Sequence, residues 1–299
     1  MSWRELRAAA TARLAAAGVA SPAVEARFLT EAVSGFGPDE WVEIADAEPT
    51  ARARARVEAM LDRRVAGEPL QYVIGAWGFR DLDLMVDRRV LIPRPETEIV
   101  VEVALAEAVR LGLRRARPRP DVIEAPPRAV VADLGTGSGA IAIALAAELP
   151  DVEVWAADAS IDALAVAAAN VAGCAATRVR LAPPGSWFTA LPTGLRGRLA
   201  LVVANPPYIA EAEVAELPAE VADHEPYGAL VAGPLGTEAL DHLLAEGRRW
   251  VATPGALVLE LAPHQAATMA DRARALGWAE VVVHEDLTGR ARVLVARAG

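Results

Sequence analysis

The chain has 299 residues, and its 30 basic and 40 acidic side chains give a formal net charge of −10. This length is typical of about two domains or one large domain, and a chain of this size buries a substantial core. Hydrophobic residues make up 54% of the sequence, which excludes disorder over most of the chain. The acidic balance disfavours nucleic-acid binding, because wrapping a phosphate backbone requires a concentrated positive surface.

Cysteine usage and apolar runs bear on the cellular compartment. Cys174 is the single cysteine, so it has no partner for an internal disulfide, as is typical of a reducing cytoplasm. It lies among small residues with no histidine nearby, and we interpret it as a structural thiol. The longest uncharged apolar stretch, near 139–147, is far shorter than the ~20 residues that span a membrane. The first residues lack a signal-peptide pattern. We therefore expect a cytoplasmic protein without membrane contact.

Residues 1–66 predict a small helical domain, because their apolar residues recur at helical spacing without strand-like alternation. The first helix is expected to stop at Gly18. The second begins with Ser21 as N-cap and Pro22 as first helical residue, and the third begins near Thr50. The predicted apolar faces consist of Trp3, Leu6, Ala10, Leu14 and Ala17, then Val24, Phe28, Leu29 and Ala32, then Val57, Met60, Leu61 and Val65.

The third predicted helix is rich in arginine: Arg52, Arg54, Arg56, Arg63 and Arg64. These side chains are compatible with a contact patch or with a solvated helix face, and the solvated face is favoured. Residues 67–92 change in character, with aromatic, β-branched and turn-forming residues. Leu82, Leu84 and Val86 occupy alternate positions, which is typical of a half-buried strand. We interpret 67–92 as a β-hairpin connector.

From residue 93 onward, predicted strands and helices alternate. Strands are expected at 129–134, 152–158, 199–204, 256–261, 279–287 and 291–297, and helices at 96–113, 139–149, 161–173, 236–252 and 264–276. Loops are expected at 114–128, which is rich in proline and arginine, and at 224–236. This alternation predicts an α/β fold with a mostly parallel sheet and helices on both faces. Ligands of such sheets bind at the carboxyl ends of the strands.

A glycine-rich loop follows the predicted strand 129–134 and opens a helix. It consists of Asp133, Leu134, Gly135, Thr136, Gly137, Ser138 and Gly139. Glycines at such a position let the backbone turn sharply and approach a ligand closely. Asp158, at the end of the next strand, is suited to accept both hydroxyls of a ribose. A nicotinamide dinucleotide and S-adenosylmethionine both fit this pattern, and a tight turn without a ligand is the alternative. Asp133 favours S-adenosylmethionine, since it is suited to lie near the ammonium that nicotinamide cofactors lack.

The predicted strand 199–204 ends in Asn205, Pro206, Pro207 and Tyr208. Two consecutive prolines fix the backbone and remove two N–H donors, which leaves the Asn205 side-chain oxygen and the Pro206 carbonyl as acceptors. Such a pair accepts both hydrogens of an –NH₂ group, and Tyr208 is able to stack on the planar group that carries it. The motif therefore indicates methyl transfer from a sulfonium to an amide or exocyclic amino nitrogen, through positioning and electrostatics. A Pro-Pro turn without function is the alternative.

Taken together, these segments resemble the HemK/PrmC family of class I S-adenosylmethionine-dependent methyltransferases. The resemblance covers almost the whole chain. It rests on Gly67-Glu68-Pro69-Leu70, LIPRPETE at 91–98, DLGTGSGAIAIALA, NPPYI, Glu225-Pro226 and the closing DLTGRARVLVAR. Amino-adenine and cytosine methyltransferases share the glycine loop and the Pro-Pro-Tyr element, but they lack, as a rule, the connector and the LIPRPETE segment.

The resemblance implies a Rossmann-like methyltransferase domain at 93–299, a β-hairpin connector at 67–92 and a helical, partner-docking domain at 1–66. It assigns Gly135–Gly139 and Asp158 to S-adenosylmethionine and places Trp187 against the adenine. Asn205, Pro206, Pro207 and Tyr208 would hold the target amide, with Asn205, Pro206 and Tyr208 as catalytic residues, S-adenosylhomocysteine as product and no metal. Ser186 stands where the family commonly has an acidic residue, and we expect weaker or water-mediated recognition of the adenine.

The activity that this resemblance implies is methylation of the glutamine side-chain amide nitrogen, N5, in the Gly-Gly-Gln motif of peptide chain release factors, which modulates translation termination. Alternatives are glutamine methylation of a ribosomal protein and amino-methylation of a nucleic-acid base, the latter disfavoured by the net charge of −10. A nonenzymatic module that binds S-adenosylmethionine or a nucleotide and an NAD-dependent oxidoreductase are alternatives from other classes. Stable nucleic-acid binding is not expected. A monomer is favoured, although the residues leave the oligomeric state open.

Overall fold

A computed structural model describes residues 1–115 and 129–299, so 116–128 of the predicted loop at 114–128 lie outside the described residues. The described residues form two compact units. One comprises Met1–Ala76 with Pro218–His224, and the other comprises Trp77–Leu217 with Glu225–Gly299. Within this described part, no helix combines the length and the apolar character that crossing a membrane requires.

The α-helices are α1 (Trp3–Ala16), α2 (Pro22–Ser34), α3 (Trp41–Ile44), α4 (Ala51–Val65), α5 (Leu70–Ile74), α6 (Pro95–Arg110), α7 (Ala140–Glu148), α8 (Ile161–Gly173), α9 (Ala219–His224), α10 (Tyr227–Leu230), α11 (Glu238–Trp250) and α12 (Ala266–Ala275). The strands are β1 (Ala76–Phe79), β2 (Leu82–Met85), β3 (Ala129–Leu134), β4 (Val152–Ala157), β5 (Val179–Leu181), β6 (Leu199–Ala204), β7 (Ile209–Ala210), β8 (Val231–Gly233), β9 (Val251–Glu260), β10 (Glu280–Glu285) and β11 (Ala291–Arg297).

The first unit is helical, and most of its predicted apolar positions are buried. Its core consists of Trp3, Leu6, Ala10, Leu14, Ala26, Leu29, Val57, Met60, Leu61, Leu70 and Val73. Ala17 lies beyond the end of α1 and is exposed, and Val24 and Val65 are 47% and 39% exposed, so these three assignments were wrong. Ser21 is the N-cap of α2, as predicted, but its side chain makes no capping hydrogen bond.

Arg64 of α4 corrects the interpretation of the arginines of this helix as a solvated face. Arg64 is only 9% exposed, and its guanidinium donates to both carboxylate oxygens of Glu25. Arg63 donates to both oxygens of Glu68 and to the carbonyl oxygen of Tyr72. A guanidinium is stable in a buried position when it donates hydrogen bonds to several acceptors at once. Arg64 is therefore part of the internal framework of the helical unit, whereas the Arg63 side chain is 46% exposed, in keeping with a solvated helix face.

The predicted connector at 67–92 contains a short helix, α5, before the hairpin. The hairpin itself consists of β1 and β2, which pair as a two-stranded sheet. Leu70, Tyr72 and Val73 of α5 are buried. Their apolar run is too short for periodicity to distinguish a helix from a strand, which is why the sequence pattern did not reveal this turn of helix.

The second unit contains a seven-stranded sheet in the order β10-β11-β9-β6-β3-β4-β5. The pairs β4–β5, β3–β4, β3–β6 and β6–β9 are parallel, whereas β11 pairs antiparallel with both β9 and β10. The mostly parallel α/β sheet predicted from the alternation of strands and helices is thereby confirmed. The predicted loop at 224–236 additionally contains α10 and β8.

Helices cover both faces of this sheet. Residues of α6 and α7 pack on one face with Val131, Val154 and Val203. Residues of α11 and α12 pack on the other face with Ala132 and Val202. Successive residues of β3 and β6 thus enter opposite cores, as the two-residue period of a strand requires. The chain that leaves β3 continues to β4, which is the neighbour of β3 on one side, whereas β6 is its neighbour on the other side. A change of direction of this kind in the strand order opens a crevice at the carboxyl ends of these strands.

Candidate active site

The glycine loop turns sharply after β3, as its composition predicts. Gly135, Gly137 and Gly139 have φ of +74°, +54° and +85°, values that side-chain-bearing residues rarely adopt. The backbone N–H groups of Gly135 and Thr136 both donate to the carbonyl oxygen of Ala157, at 2.8 and 2.9 Å. The loop is therefore fastened to the end of the neighbouring strand β4, and its remaining face is open to a ligand.

Asp133 lies beneath this loop and is fully buried. Its Oδ2 accepts hydrogen bonds from the Thr136 hydroxyl at 2.6 Å and from the Ala142 N–H at 3.1 Å. Its Oδ1 has no hydrogen-bond partner among the described residues. Burial raises the pKa of Asp133 to about 7, against the opposing effect of those two hydrogen bonds. One carboxylate thus joins the loop to the first turn of α7 and retains an unused acceptor.

Asp158 follows β4 and lines the crevice with both oxygens held in place. Its Oδ2 accepts from the Gly137 N–H and its Oδ1 from the Ser160 N–H, both at 2.9 Å. Each carboxylate oxygen has about two acceptor positions, so a second position remains on each oxygen. A carboxylate oriented by two backbone donors is well suited to accept a pair of vicinal hydroxyls.

Trp187 lines the same pocket as the glycine loop and packs against that loop. A Cβ atom added to Gly135 would lie 3.3 Å from Cζ3 of Trp187, so the ring packs on the bare backbone of that glycine. Trp187 itself has φ of +48°, a left-handed conformation that is unfavourable for a bulky residue and is typical of functional sites. Ser186 precedes it, is exposed and lines the same pocket.

The Asn-Pro-Pro-Tyr segment begins where β6 ends, and its first side chain is anchored from a different part of the chain. Nδ2 of Asn205 donates to Oγ1 of Thr97 at 3.1 Å, and the Thr97 hydroxyl donates to Oε2 of Glu260 at 2.8 Å. The Tyr208 hydroxyl reaches Oε1 of the same carboxylate at 3.5 Å. The Tyr208 carbonyl accepts from Nε2 of Gln265 at 2.9 Å. Both ends of the motif are therefore held by neighbouring elements.

Glu260 is the charged group at the centre of this network. It ends β9, which pairs in parallel with β6, and it is only 1% exposed. Burial raises its pKa to about 7, while the Thr97 hydroxyl and Arg292 act in the opposite direction. Burial and the proximity of Glu260 also raise the pKa of Tyr208 above its ordinary value. Tyr208 thus retains its phenolic hydrogen as a donor.

A pocket of about 400 Å³ occupies the crevice, which is within the size range of small-molecule sites. Of the residues predicted for the site, it is lined by Gly135, Gly137, Asp158, Trp187, Asn205 and Pro207. Other predicted residues lie outside this lining: Asp133, Thr136, Ser138, Gly139, Pro206 and Tyr208. Thr136 and Ser138 are buried in the loop.

Several residues of this site were not predicted from the sequence. The pocket is also lined by Arg89, Val90, Leu91, Pro226, Gly228 and Ala229, and the network beneath it includes Thr97 and Glu260. A carboxylate at the end of a buried apolar strand is the signal that could have identified Glu260, since Asp133 has the same setting. Within 1–115 and 129–299, no group of three or more His, Cys, Asp or Glu side chains is arranged to hold a metal ion.

Comparison with known proteins agrees with this architecture. Residues 5–75 match the family model of the PrmC N-terminal domain, and residues 121–222 match the methyltransferase small domain. Proteins named release factor glutamine methyltransferase are similar over nearly the whole chain. The Deinococcus radiodurans protein is 40% identical, with 99% of each chain covered. The Streptomyces coelicolor protein is 39% identical, with 97% of this chain and 96% of the relative covered.

Solved structures share the fold at low sequence identity. The hMettl16 catalytic domain has a TM-score of 0.53 and 14% identity, covering 83% of this chain and 82% of that chain. A methyltransferase from Pyrococcus furiosus has a TM-score of 0.50 and 17% identity, covering 83% of this chain and 99% of that chain. Together with the family models and the relatives that match from end to end, the sheet and its glycine loop lead to one conclusion: the chain belongs to the release factor glutamine methyltransferase family.

Proposed function

We propose that this protein transfers the methyl group of S-adenosylmethionine to the side-chain amide nitrogen, N5, of the glutamine in the Gly-Gly-Gln motif of peptide chain release factors. The observation that carries the proposal is the position of Asn205, whose side chain lines the same pocket as Gly135, Gly137 and Asp158. A hydrogen-bond acceptor for an –NH₂ group and a nucleoside-binding loop thus share one cavity. The names of the full-length relatives supply the substrate class.

The residues of the pocket fit S-adenosylmethionine. Asp158 has free acceptor positions for two ribose hydroxyls, and Trp187 offers an aromatic face for the adenine. Asp133 lies outside the pocket lining and supports the cofactor site from beneath, by holding the glycine loop through Thr136 and Ala142. The cofactor supplies an electrophilic methyl group on a sulfonium, and S-adenosylhomocysteine is the product. Cofactor binding is therefore assigned to the glycine loop, Asp158 and Trp187.

The polar groups of Asn205 and Pro206 activate the amide nitrogen of the substrate glutamine, which is a poor nucleophile by itself. The lone pair of an amide nitrogen is delocalised into its carbonyl, so the nitrogen attacks only weakly in solution. The Asn205 side-chain oxygen and the Pro206 carbonyl are suited to accept both of its hydrogens, which directs the lone pair toward the electrophile and favours pyramidal geometry. This positioning and the acceptor dipoles supply the rate acceleration. The nitrogen loses its proton after the transfer.

The helical unit is proposed as the docking domain for the release factor. The net charge of −10 and the reducing compartment indicated by the single cysteine suit a cytoplasmic enzyme that acts on a protein. Within the three proposed segments, 1–66 recognises the partner, 67–92 connects, and 93–299 carries the chemistry. Methylation of nucleic acid is disfavoured because the chain lacks the excess of positive charge that such substrates require.

Mass spectrometry of the Gly-Gly-Gln peptide tests this proposal. Purified protein, S-adenosylmethionine and unmodified release factor are expected to add one methyl group to the glutamine. Asn205→Ala is expected to lower kcat by roughly 100- to 1,000-fold, the usual effect of removing one preorganised polar group, while leaving the cofactor affinity largely intact. Calorimetry with S-adenosylmethionine measures the latter.

Parallel reactions separate the alternatives. A ribosomal protein and DNA are offered under the same conditions, and labelled methyl groups are counted on each. Label on DNA alone, or no gain of mass on the release factor, would contradict the proposed function. Binding of S-adenosylmethionine without transfer to any substrate would instead indicate a nonenzymatic module, and tighter binding of NAD than of S-adenosylmethionine would indicate an oxidoreductase.

A further inference from the structure

Thr97 lies between the proposed acceptor Asn205 and a buried carboxylate. It occupies the first turn of α6, whereas Asn205 follows β6 and Glu260 ends β9. Thr97 is 4% exposed and Glu260 is 1% exposed. The three side chains form a continuous chain of hydrogen bonds, from Asn205 to Thr97 at 3.1 Å and from Thr97 to Glu260 at 2.8 Å. This chain ends in the pocket at one side and in the protein interior at the other.

The direction of these hydrogen bonds follows from the number of hydrogens available. An ionised carboxylate has no hydrogen to donate, so Glu260 accepts the single hydroxyl hydrogen of Thr97. The Thr97 oxygen then has only lone pairs to offer, and the group that faces it must be a donor. In Asn205 that donor is Nδ2, so the amide cannot turn its oxygen toward Thr97 without placing two acceptors against each other.

We propose that Thr97 and Glu260 are positioning residues that hold the Asn205 amide in one of its two orientations, with Oδ1 directed at the target nitrogen. This proposal rests on the proposed function and deepens it. A side-chain amide has two faces of nearly equal shape, one a donor and one an acceptor. Only the acceptor face receives the hydrogens of a substrate –NH₂ group. In the flipped orientation the Asn205 –NH₂ group would face the substrate –NH₂ group, so that two donors would oppose each other. No hydrogen bond is made by Oδ1 of Asn205 within the described residues, which leaves it available.

Tyr208 links the other end of the motif to the same carboxylate. Its hydroxyl reaches Oε1 of Glu260 at 3.5 Å, while Thr97 uses Oε2 at 2.8 Å. One buried carboxylate therefore receives two hydroxyl donors, one acting on the first residue of the motif and one belonging to its last residue. Glu260 thus acts on the amide orientation of Asn205 through the 2.8 Å hydrogen bond from Thr97, while its contact with the Tyr208 hydroxyl, at 3.5 Å, is a long one.

The first experiment compares Thr97→Val with Thr97→Ser. Valine keeps the shape of threonine but removes the hydroxyl, so kcat for methyl transfer is expected to fall roughly 10- to 100-fold, the size of effect that misplacement of a reacting group produces. Thr97→Ser restores the hydroxyl and is expected to restore kcat to within about threefold. The affinity for S-adenosylmethionine is expected to stay unchanged in both variants. Thr30→Val is the matched control, since Thr30 is another buried threonine with a hydrogen-bonded hydroxyl and lies outside the pocket lining.

A second readout does not depend on catalysis. The side-chain amide signals of Asn205, assigned by comparison with Asn205→Ala, are followed by NMR during exchange into heavy water. The Nδ2 hydrogen bonded to Thr97 is expected to exchange at least roughly tenfold faster in Thr97→Val than in the original chain, and Thr97→Ser is expected to restore its protection. This measurement remains informative if the release factor is not the substrate, so failure of the proposed function is distinguishable from failure of the positioning role.

Glu260→Gln tests the other member of the pair. A glutamine amide is able to donate to Thr97, which frees the threonine hydrogen to point at Asn205 and permits the flipped amide. A loss of kcat comparable to that of Thr97→Val is expected, with Glu107→Gln as control, since Glu107 is a buried carboxylate of the same unit paired with Arg297. Unchanged kcat in Thr97→Val, equal losses in kcat and cofactor affinity, or unchanged amide exchange would each overturn the proposal.

Discussion

At the scale of single residues, Asp133 and Glu260 have the same setting. Each carboxylate stands at the carboxyl end of a buried strand, and burial raises the pKa of each to about 7. Their partners differ. Asp133 receives hydrogen bonds from its own loop and helix, whereas Glu260 receives hydroxyls from Thr97 and Tyr208. One therefore organises the glycine loop, and the other organises the proposed substrate site.

The raised pKa of Glu260 predicts how kcat depends on pH. Above about pH 7 the carboxylate is ionised and accepts from Thr97. Below it, the protonated group is itself a donor, so the orientation of Asn205 is no longer enforced and kcat is expected to fall as pH decreases through about 7. Arg292, Glu96 and Tyr208 are the charged and titratable groups that also act on this carboxyl.

Measurement of kcat at saturating substrates across this range checks the prediction. Glu260→Gln is expected to lose the inflection. Asp133→Asn is expected to retain it, because the two carboxyls titrate in the same region but only one faces the motif. If the inflection in kcat persists in Glu260→Gln, a group other than Glu260 causes it.

At the scale of elements, the glycine loop depends on its backbone conformation and on close packing. Gly135 combines φ of +74° with a Trp187 atom 3.3 Å from the position of an added Cβ. Gly18, which follows α1, has φ of +79° and nothing within 4 Å of that position. The two glycines therefore share the conformational requirement, but only Gly135 has a neighbour that must move.

Gly135→Ala and Gly18→Ala separate these two effects. Both variants are expected to lose about 1–2 kcal/mol of unfolding free energy, the cost of a left-handed conformation for alanine. Only Gly135→Ala is expected to weaken binding of S-adenosylmethionine, by roughly 10-fold or more, because it displaces the Trp187 ring that we propose stacks on the adenine. Calorimetric titration checks this, and equal affinities in the two variants would contradict the assigned role of Trp187.

Elements were predictable to the extent that their residues encode them locally. The strand before the glycine loop, the helix after it and the strand before Asn205 all follow from apolar periodicity and turn residues. The helix α5 was missed because five residues are too few for a period to show. Arg64 was assigned to a solvated face because its partner, Glu25, lies on another helix.

At the scale of the whole molecule, buried carboxyls link folding to pH. The pKa of Asp133 rises from 3.8 to about 7 on folding, so between these values the folded chain binds more protons than the unfolded chain. The free energy of unfolding therefore decreases as pH increases through this window, by up to about 4 kcal/mol for this group, and the loss is complete above pH 7.

Asp133→Asn is expected to flatten the pH dependence of unfolding between about pH 4 and 7, as measured by denaturant titration at a series of pH values. The slope is the readout, since the amide also changes the stability at every pH. Glu107→Gln is the control, because the pKa of Glu107 is shifted in the opposite direction to that of Asp133. The hydrogen bonds and charges of Arg297 and Arg110 outweigh burial and lower the pKa of Glu107, so its stabilisation is lost only as pH falls below its ordinary value. If Asp133→Asn leaves the slope of unfolding free energy against pH unchanged, the raised pKa of Asp133 is contradicted.

The sequence by itself determined the α/β alternation, the helical amino-terminal region, the glycine loop after one strand and the Asn-Pro-Pro-Tyr segment after another. Each of these is encoded by neighbouring residues, through periodicity, turn chemistry or a contiguous motif. Only the tertiary structure decided which groups act on Asn205. Thr97 is 108 residues from Asn205 and 163 residues from Glu260. The three residues meet because α6 packs against β6 and β9, at whose carboxyl ends Asn205 and Glu260 lie. Side chains that distant in sequence are brought together by strand order and register, which no local pattern specifies.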